Sequence, residues 1–372
     1  MSLKDYKTTH DRNRFLQDKL SLSLSTLLDV TIDDEAQVHC ENRIGSVVLP
    51  LGVAGPFSIK GEEIKGEHFL PLATTEGALV ASVNRGAKAC FENGIITTIQ
   101  RVGVTRGPVL KVDGISKAVK VEKWIWEHMS ELAQKAQETS SHIRLMDVTV
   151  KRMGLYIFLR CSFDTDQAMG MNMATIATQS IIGFISEKTK AAVIAVAGNF
   201  DIDKKPAWLN SIYGRGFIVN AEAIIDNKTV ASVLKTTPKK IEQIWRAKCM
   251  IGSALAGSIG FNAHHANIVA AVYAATGQDL AHVVEGSLGM TIVEVMDEGS
   301  LYISVNLPSI MVGTIGGGTQ LKTQSKARSV AGAKTSAALA ELIGAGVLAG
   351  ELSLLSSLSE GTLSSTHKRL GR

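Results

Sequence analysis

The chain has 372 residues, 45% of them hydrophobic and 20% charged, which is enough to bury a sizeable core and to divide into two or three domains. A formal net charge of +4, with no Lys/Arg block interleaved with aromatics, argues against a nucleic-acid surface and leaves room for a substrate carrying phosphates or carboxylates. Four scattered cysteines without a CxxC give neither a disulfide framework nor a zinc site and point to a reducing cytoplasm, and the sequence reads as having no signal peptide and no 18-residue apolar span.

Residues 1–44 are polar with a helical pattern from Arg14 to Leu28, and read as a short N-terminal helical arm. Val47 to Pro56 is strand-like and stopped by Gly and Pro. Thr74-Thr75-Glu76-Gly77 opens an expected helix that runs to about Glu92 and stops at Asn93-Gly94. On that helix Leu79, Val80, Val83 and Ala87 fall within about 60° of Glu76, so its carboxyl would be desolvated, raised in pKa and fit to act as a general acid. A first-turn position in the helix dipole would instead lower it, and both readings stand. Residues 95–111 read as strands, 118–138 as one amphipathic helix, His142 to Ser162 as two antiparallel strands and 167–190 as a helix. With the apolar run Ala191–Ala197 taken as a buried strand, strand, helix, strand, strand, helix, strand make a small α+β unit over roughly 108–196.

Asp203-Lys204-Lys205-Pro206 follows. Two adjacent ammonium groups repel; Asp203 offsets part of that and a bound anion could offset the rest, although a solvated loop is the plainer reading. Two short helices are expected next, then an Ala/Gly/Ile-rich stretch over 248–276 buried on several sides. His264 and Asn267 share one helical face, Gly277 ends the helix and Asp279 comes after it. Taken singly, Asp279 is a turn residue and His264 a packing residue. Glycine clusters at Gly170-Met171-Asn172-Met173 and Gly316-Gly317-Gly318 match neither a Walker loop nor a dinucleotide-binding fingerprint. The first, at a helix N-terminus, could hold a phosphate, and the second leaves backbone open to a flat ligand; helix packing and a plain turn explain them equally. Residues 325–358 read as helix, and the polar tail carries His367.

Read together, ENRIGSVVLPLGVAGP (41–56), TTEGALVASVNRGAKA (74–89), TRGPV (105–109), AMGMNMAT (168–175), GNFDIDKKPAWLN (198–210), GRGFIVNAEAII (214–225), GSALAGSIGFNAHHANIVAAVYAATGQD (252–279), LYISVNLPSIMVGTIGGGT (301–319) and AGELSLLSSLSEG (349–361) resemble 3-hydroxy-3-methylglutaryl-coenzyme A (HMG-CoA) reductases, in the family's order and with the texture of the biosynthetic class. The resemblance implies an α+β fold. A large substrate-binding domain (45–107 and 207–372) would carry an inserted, ferredoxin-like, NADP(H)-binding domain (108–196), with 197–206 as the catalytic connecting loop and no membrane anchor. It implies two-step reduction of (S)-HMG-CoA to (R)-mevalonate and coenzyme A with two NADPH, in the cytoplasm, by a homodimer or homotetramer whose active site lies at the dimer interface.

By the same resemblance Glu76, Lys204, Asp279 and His367 are the catalytic set. Lys204 would stabilise the oxyanion, Glu76 deliver a proton, Asp279 join the two in one network, and His367 neutralise the departing thiolate from a tail that closes as a lid. Arg106, Asp203, Lys205 and Lys248 would hold the hydroxymethylglutaryl group. Ser82, Asn84, Arg85 and Lys235 would contact substrate and coenzyme A, with His264 and Asn267 near the thioester. The cofactor would meet Ser140, Ser141, Gly170, Met171, Asn172, Met173, Gly316, Gly317 and Gly318; no metal is implied. The chain departs from the family pattern at Gln167, at Ser140-Ser141-His142, where a phosphate-gripping Arg is replaced, at Ala197, at Phe261 and at Met311. It also reads as lacking the regulatory phosphoserine beyond His367. These departures keep NADH open beside NADPH, and with it NAD-dependent oxidation of mevalonate or a non-catalytic acyl-coenzyme A binder.

Overall fold

The structure, a computed structural model, describes residue 6, residues 8–25 and residues 46–361. Helix α1 (Thr9–Leu20) begins where Thr8 and Asp11 cap each other reciprocally, and it seats Leu16 and the following Leu24 against Phe69 and Val330. The Glu41–Gly45 motif, Cys40 and His367 lie outside the described residues. Strands β1 (Leu51–Lys60) and β2 (Lys65–Ala73) form an antiparallel hairpin.

Helix α2 (Leu79–Cys90) starts later than its sequence suggests. Ala78 takes a left-handed conformation (φ 73°), which breaks the helix there and leaves Thr74–Gly77 as a bend ahead of it. Glu76 is therefore exposed and off the apolar stripe, so the desolvated-helix reading of its carboxyl does not hold.

Strand β3 (Ile95–Arg106) is the hinge of the architecture. From there come β4 (Val109–Lys111), α3 (Ile115–Glu127), α4 (Met129–Gln137), β5 (Arg144–Met153), β6 (Tyr156–Asp164), α5 (Met171–Thr189) and β7 (Ala192–Ala195). The single helix expected over 118–138 is split where His128 leaves helical geometry (φ −119°, ψ 24°). These strands pair in the order β7-β4-β6-β5, all antiparallel, over a core of Leu110, Ile125, Leu159, Phe163 and Ile181. The expectation of a buried strand at 191–197 fails. β7 is an edge strand bonded to β4, and Val193 and Ile194 are 38% and 52% exposed.

Past the connecting loop come α6 (Trp208–Tyr213) and, where a second short helix was expected, strand β8 (Gly216–Ile225). The π turn Val230–Leu234 extends α7 (Asn227–Thr229), and the π turn Arg246–Gly252 links α8 (Pro238–Trp245) to α9 (Ser253–Ala256). Helix α10 (His265–Thr276), the turn Leu280–His282, α11 (Val283–Gly286), β9 (Met290–Val295), β10 (Leu301–Ile310), α12 (Lys322–Ala331) and α13 (Ser336–Glu360) complete the fold. Burial across 248–276 is only half as expected: α10 sinks Ile268, Val269, Val272 and Tyr273, whereas Ile251 and Leu255 face outward on the lip formed by the π turn and α9.

The first part of β3 pairs with β8, which continues through β10 to β9, and its last three residues pair with β6, so one strand serves both halves of a single large sheet. Helices α2, α10 and α13 enclose the larger core with β2, β8 and β10. By length and composition α13 could cross a membrane, yet its apolar window is 94% buried inside the fold. It lies so close to α2 that a Cβ at Gly86 would collide with the Ala349 carbonyl.

Candidate active site

The loop between β7 and α6 turns sharply: Ile202 and Lys204 both adopt left-handed φ (47° and 57°). The turn brings the Lys204 backbone N–H to Glu285 Oε1 at 3.3 Å and sends the ammonium to Asp279, with Nζ 2.7 Å from Oδ2. Asp279 is set by the end of α10. Gly277 takes φ 74° and stops the helix; a Cβ there would strike the Gly318 carbonyl, so this turn also presses the second glycine cluster against α10. Asp279 Oδ1 accepts the Ala281 N–H at 3.0 Å. Burial opposes its ionisation, but the hydrogen bonds from Lys204 and Ala281 and the nearby positive charge outweigh that and hold its carboxyl below the usual carboxylate range.

Behind this pair lies a charged network the sequence reading missed. Arg215, fully buried, donates to Glu285 Oε1 at 2.5 Å and reaches Asp203 Oδ1 at 3.0 Å. Its Nε donates to Thr105 Oγ1 at 2.8 Å. His282, also fully buried, has Nδ1 2.7 Å from the same Glu285 oxygen. Arg106 sits 3.5 Å from Asp201 and 3.6 Å from Asp203 and donates to Thr175 Oγ1. The one trio of described carboxylates and imidazoles close enough to hold a metal is Asp203, His282 and Glu285, and the Arg215 guanidinium already fills the cation's place among them. The clue available in sequence was small: His282 and Glu285 are three apart on one helical face.

Glu76 belongs to a second cluster. Its Oε2 accepts from Asn267 Nδ2 at 2.7 Å, and its own N–H donates to Thr74 Oγ1 at 3.0 Å. Asn267 is held by the start of α10, where the buried carboxylate of Glu351 in α13 accepts the N–H groups of Ala263 (2.8 Å) and His264 (2.7 Å) and the Thr291 hydroxyl (2.6 Å). His264 packs beside Gly350. Asn267 and Thr276 are nine residues apart on α10, about 14 Å along its axis at the usual rise. The structure thus joins Lys204 to Asp279 and Glu76 to Asn267 at opposite ends of one helix, and within this chain it does not join Glu76 to the other two.

The remaining expected residues divide. Lys205 is exposed and donates to the Asp203 carbonyl at 3.0 Å. Lys235, in left-handed conformation, and Lys248 are both exposed. Ser82 donates to Ser353 Oγ (2.9 Å), Asn84 Oδ1 accepts the Gly55 N–H (2.7 Å), and Arg85 binds Ser353 and Ser357 and lies 3.6 Å from Glu360. These three tie α2 to β1 and α13.

Comparison with known proteins decides the family. A model of hydroxymethylglutaryl-coenzyme A reductase matches residues 8–372. The chain is 44% identical over 368 residues to the 3-hydroxy-3-methylglutaryl-coenzyme A reductase of Methanothermobacter thermautotrophicus, covering 97% of this chain and 92% of that one. It is 45% identical to the Pyrococcus abyssi enzyme of the same name, covering 98% and 92%. This chain belongs to the HMG-CoA reductase family. Its fold matches the class II reductase of Streptococcus pneumoniae bound to NADPH in open conformations, at a TM-score of 0.76 and 18% identity over 96% of this chain and 98% of that one.

In this reductase the two glycine clusters meet, with Ala168 bridged to Ile315 and the Thr314 N–H bonded to the Gln167 carbonyl at 2.8 Å. The α5 N-terminus, at Gly170, carries no side-chain cap, and nothing lies within 4 Å of where a Cβ would stand on Gly316 or Gly317. Ser140 Oγ reaches the Met173 sulfur at 3.9 Å, placing that loop on the same face, next to exposed Ser141. An open backbone cradle at an uncapped helix start suits a dinucleotide phosphate. Two departures from the family pattern have structural roles here: Gln167 Oε1 accepts the Ser336 N–H (2.8 Å), and Met311 is 1% exposed in the smaller core. Beside that loop Arg144 pairs with Asp164 at 3.2 Å, and His142 with Asp166 at 3.4 Å.

Proposed function

We propose that this chain reduces HMG-CoA to mevalonate and free coenzyme A in the mevalonate pathway, in the cytoplasm. The observation that carries the reading is the Lys204–Asp279 ion pair, one-third exposed on each side, in a family member whose relatives are named for this reaction. Reduction of a thioester builds negative charge on the carbonyl oxygen, and the Lys204 ammonium, anchored by an ionised Asp279, is a preformed partner for it. Arg106 and Lys205 supply further positive charge beside Asp203 for the substrate carboxylate. Glu76, held by Asn267, is the proton donor, and His367 the acid that quenches the departing thiolate.

The reductant is a nicotinamide, which supplies hydride when bound. Gly170–Met173, Gly316–Gly318, Ser140 and Ser141 would hold it, with NADPH preferred over NADH. In support, the antiparallel order β7-β4-β6-β5 with α3–α5 is that of a ferredoxin-like unit inserted at 108–196, with a core separate from that of the large domain. Residues 45–107 and 207–372 would form the substrate domain, 197–206 the connecting loop and 1–44 an arm. Glu76 and Lys204 stand at opposite ends of α10, so we place the complete site in a homodimer, or a homotetramer built from two such dimers, in which one copy's Lys204 approaches the other's Glu76. The test is mevalonate formation and loss of reduced-nicotinamide absorbance with HMG-CoA, run once with NADPH and once with NADH. Mevalonate with NADPH carries the reading. Turnover with NADH alone favours the mevalonate-oxidising direction, and no mevalonate with either makes the protein an acyl-coenzyme A binder.

A further inference from the structure

His282 stands directly behind the ion pair and has no part in the reading above. It follows Asp279 by one short turn, is fully buried, and its two ring nitrogens face different carboxylates. Nδ1 is 2.7 Å from Glu285 Oε1. Nε2 makes no hydrogen bond among the described residues and points at Asp279 Oδ2 from 3.7 Å, the oxygen that Lys204 Nζ holds at 2.7 Å. The other charged groups facing the ring are Asp203, 3.9 Å from Nδ1, and Arg215, 3.4 Å from Nδ1, while Tyr273 packs from α10 near Glu285 and Asp279. Beyond them, Arg106 and the buried Arg160 face Asp201, and Arg160 also faces Arg215, so four carboxylates (Asp201, Asp203, Asp279, Glu285) meet four permanent cations (Arg106, Arg160, Lys204, Arg215). A proton on His282 Nε2 gives Asp279 Oδ2 a second partner beside Lys204.

We propose that His282 is a positioning residue for the reduction: by sharing Asp279 Oδ2 with Lys204, its imidazole governs how tightly Asp279 holds the ammonium that must turn to the substrate oxyanion. With Nε2 protonated, Asp279 is drawn toward the ring and Lys204 is freed for the oxyanion. With Nε2 bare, its lone pair faces the carboxylate, and Asp279 leans wholly on Lys204. Neighbouring protonation states are thereby coupled through one oxygen.

The inference rests on the reductase reading, and wild-type turnover in the same assay tests that reading separately. The experiment compares wild type, His282→Gln and His282→Ala in kcat, KM for HMG-CoA, and the pH profile of kcat, with thermal unfolding alongside. Expected are a kcat about tenfold lower in His282→Ala at nearly unchanged KM, partial rescue by His282→Gln, whose amide can donate to Asp279, and loss from both variants of an inflection in the kcat–pH profile that wild type shows. The assignment is overturned if both variants keep the wild-type kcat and pH profile within twofold. It is equally overturned if kcat and melting temperature fall together while the shape of the pH profile stays that of wild type, since that is the mark of a packing role alone.

Discussion

On the proposed mechanism Lys204 serves the chemistry, whereas Glu351 serves the frame around it. By that mechanism, replacing Lys204 with Ala removes the cation that meets the developing oxyanion; turnover should fall by at least 10²–10³, about 3–4 kcal/mol, with substrate still bound by titration calorimetry. Retained turnover would take Lys204 out of the mechanism. Glu351 is fully buried and satisfies two backbone N–H groups at the start of α10 and the Thr291 hydroxyl. Removing one member of such a buried set strands the others, so Glu351→Ala should cost about 3–5 kcal/mol in urea unfolding. Nearby, burial holds the neutral His265 imidazole down to about 4, against an ordinary value of 6.5. Its folded-state proton affinity is depressed, so the unfolded chain takes up the extra proton between those limits. Stability should be flat above pH 7 and fall as pH drops from 6.5 toward about 4, by up to about 3 kcal/mol from this residue alone. Urea midpoints at pH 7 and 5, for wild type and His265→Gln, read it directly; an identical drop in both would remove His265 as the cause.

At the level of elements, two glycines in helices should respond with opposite signs. Gly183, on the exposed side of α5, has nothing within 4 Å of a would-be Cβ, so Gly183→Ala should stabilise by about 0.5–1 kcal/mol through helix propensity. Gly86 faces the α13 backbone, so Gly86→Ala must push two helices apart and should cost about 1–3 kcal/mol despite the same propensity gain. Melting temperatures of the pair decide it; equal shifts would mean that α2 and α13 separate freely. Much of this level was legible in the sequence. The periodicity of α5, the strand-like β3 and the glycine that ends α10 all fell near their expected places because local pattern sets them. The start of α2 did not, because a left-handed Ala carries no sequence signal, and its loss moved Glu76 from a helix stripe to a bend. Burial of β7 was misread because an apolar run does not say whether a strand lies inside a sheet or at its edge. Arg215 and Glu285 lie 70 residues apart, and only tertiary structure makes them partners.

For the whole molecule, the separation of Glu76 from Lys204 makes a quantitative claim about assembly. If each site takes Lys204 from one copy and Glu76 from the other, Lys204→Ala and Glu76→Gln proteins, each inactive, should regain activity on subunit exchange, because the mixed dimer rebuilds one intact site of two. Random exchange gives roughly a quarter of wild-type activity. No recovery after exchange demonstrated by mass or fluorescence labelling would place both residues in one copy's site. The motifs for these residues were plain in the sequence, whereas the distance along α10 that divides them was not, since it depends on which end of that helix each loop reaches.

Helix α13 carries one further consequence. It is the last described element in the chain and it lies deepest, with Glu341 accepting the N–H groups of Glu62, Glu63 and Ile64 at the β1–β2 turn, and Glu351 binding the entrance to α10. A ribosome releases this helix after everything it must cover. Until residue 360 has emerged, the nascent sheet has a greasy side with no lid and two anchoring points with no anchor, so the growing polypeptide needs shielding until α13 can dock.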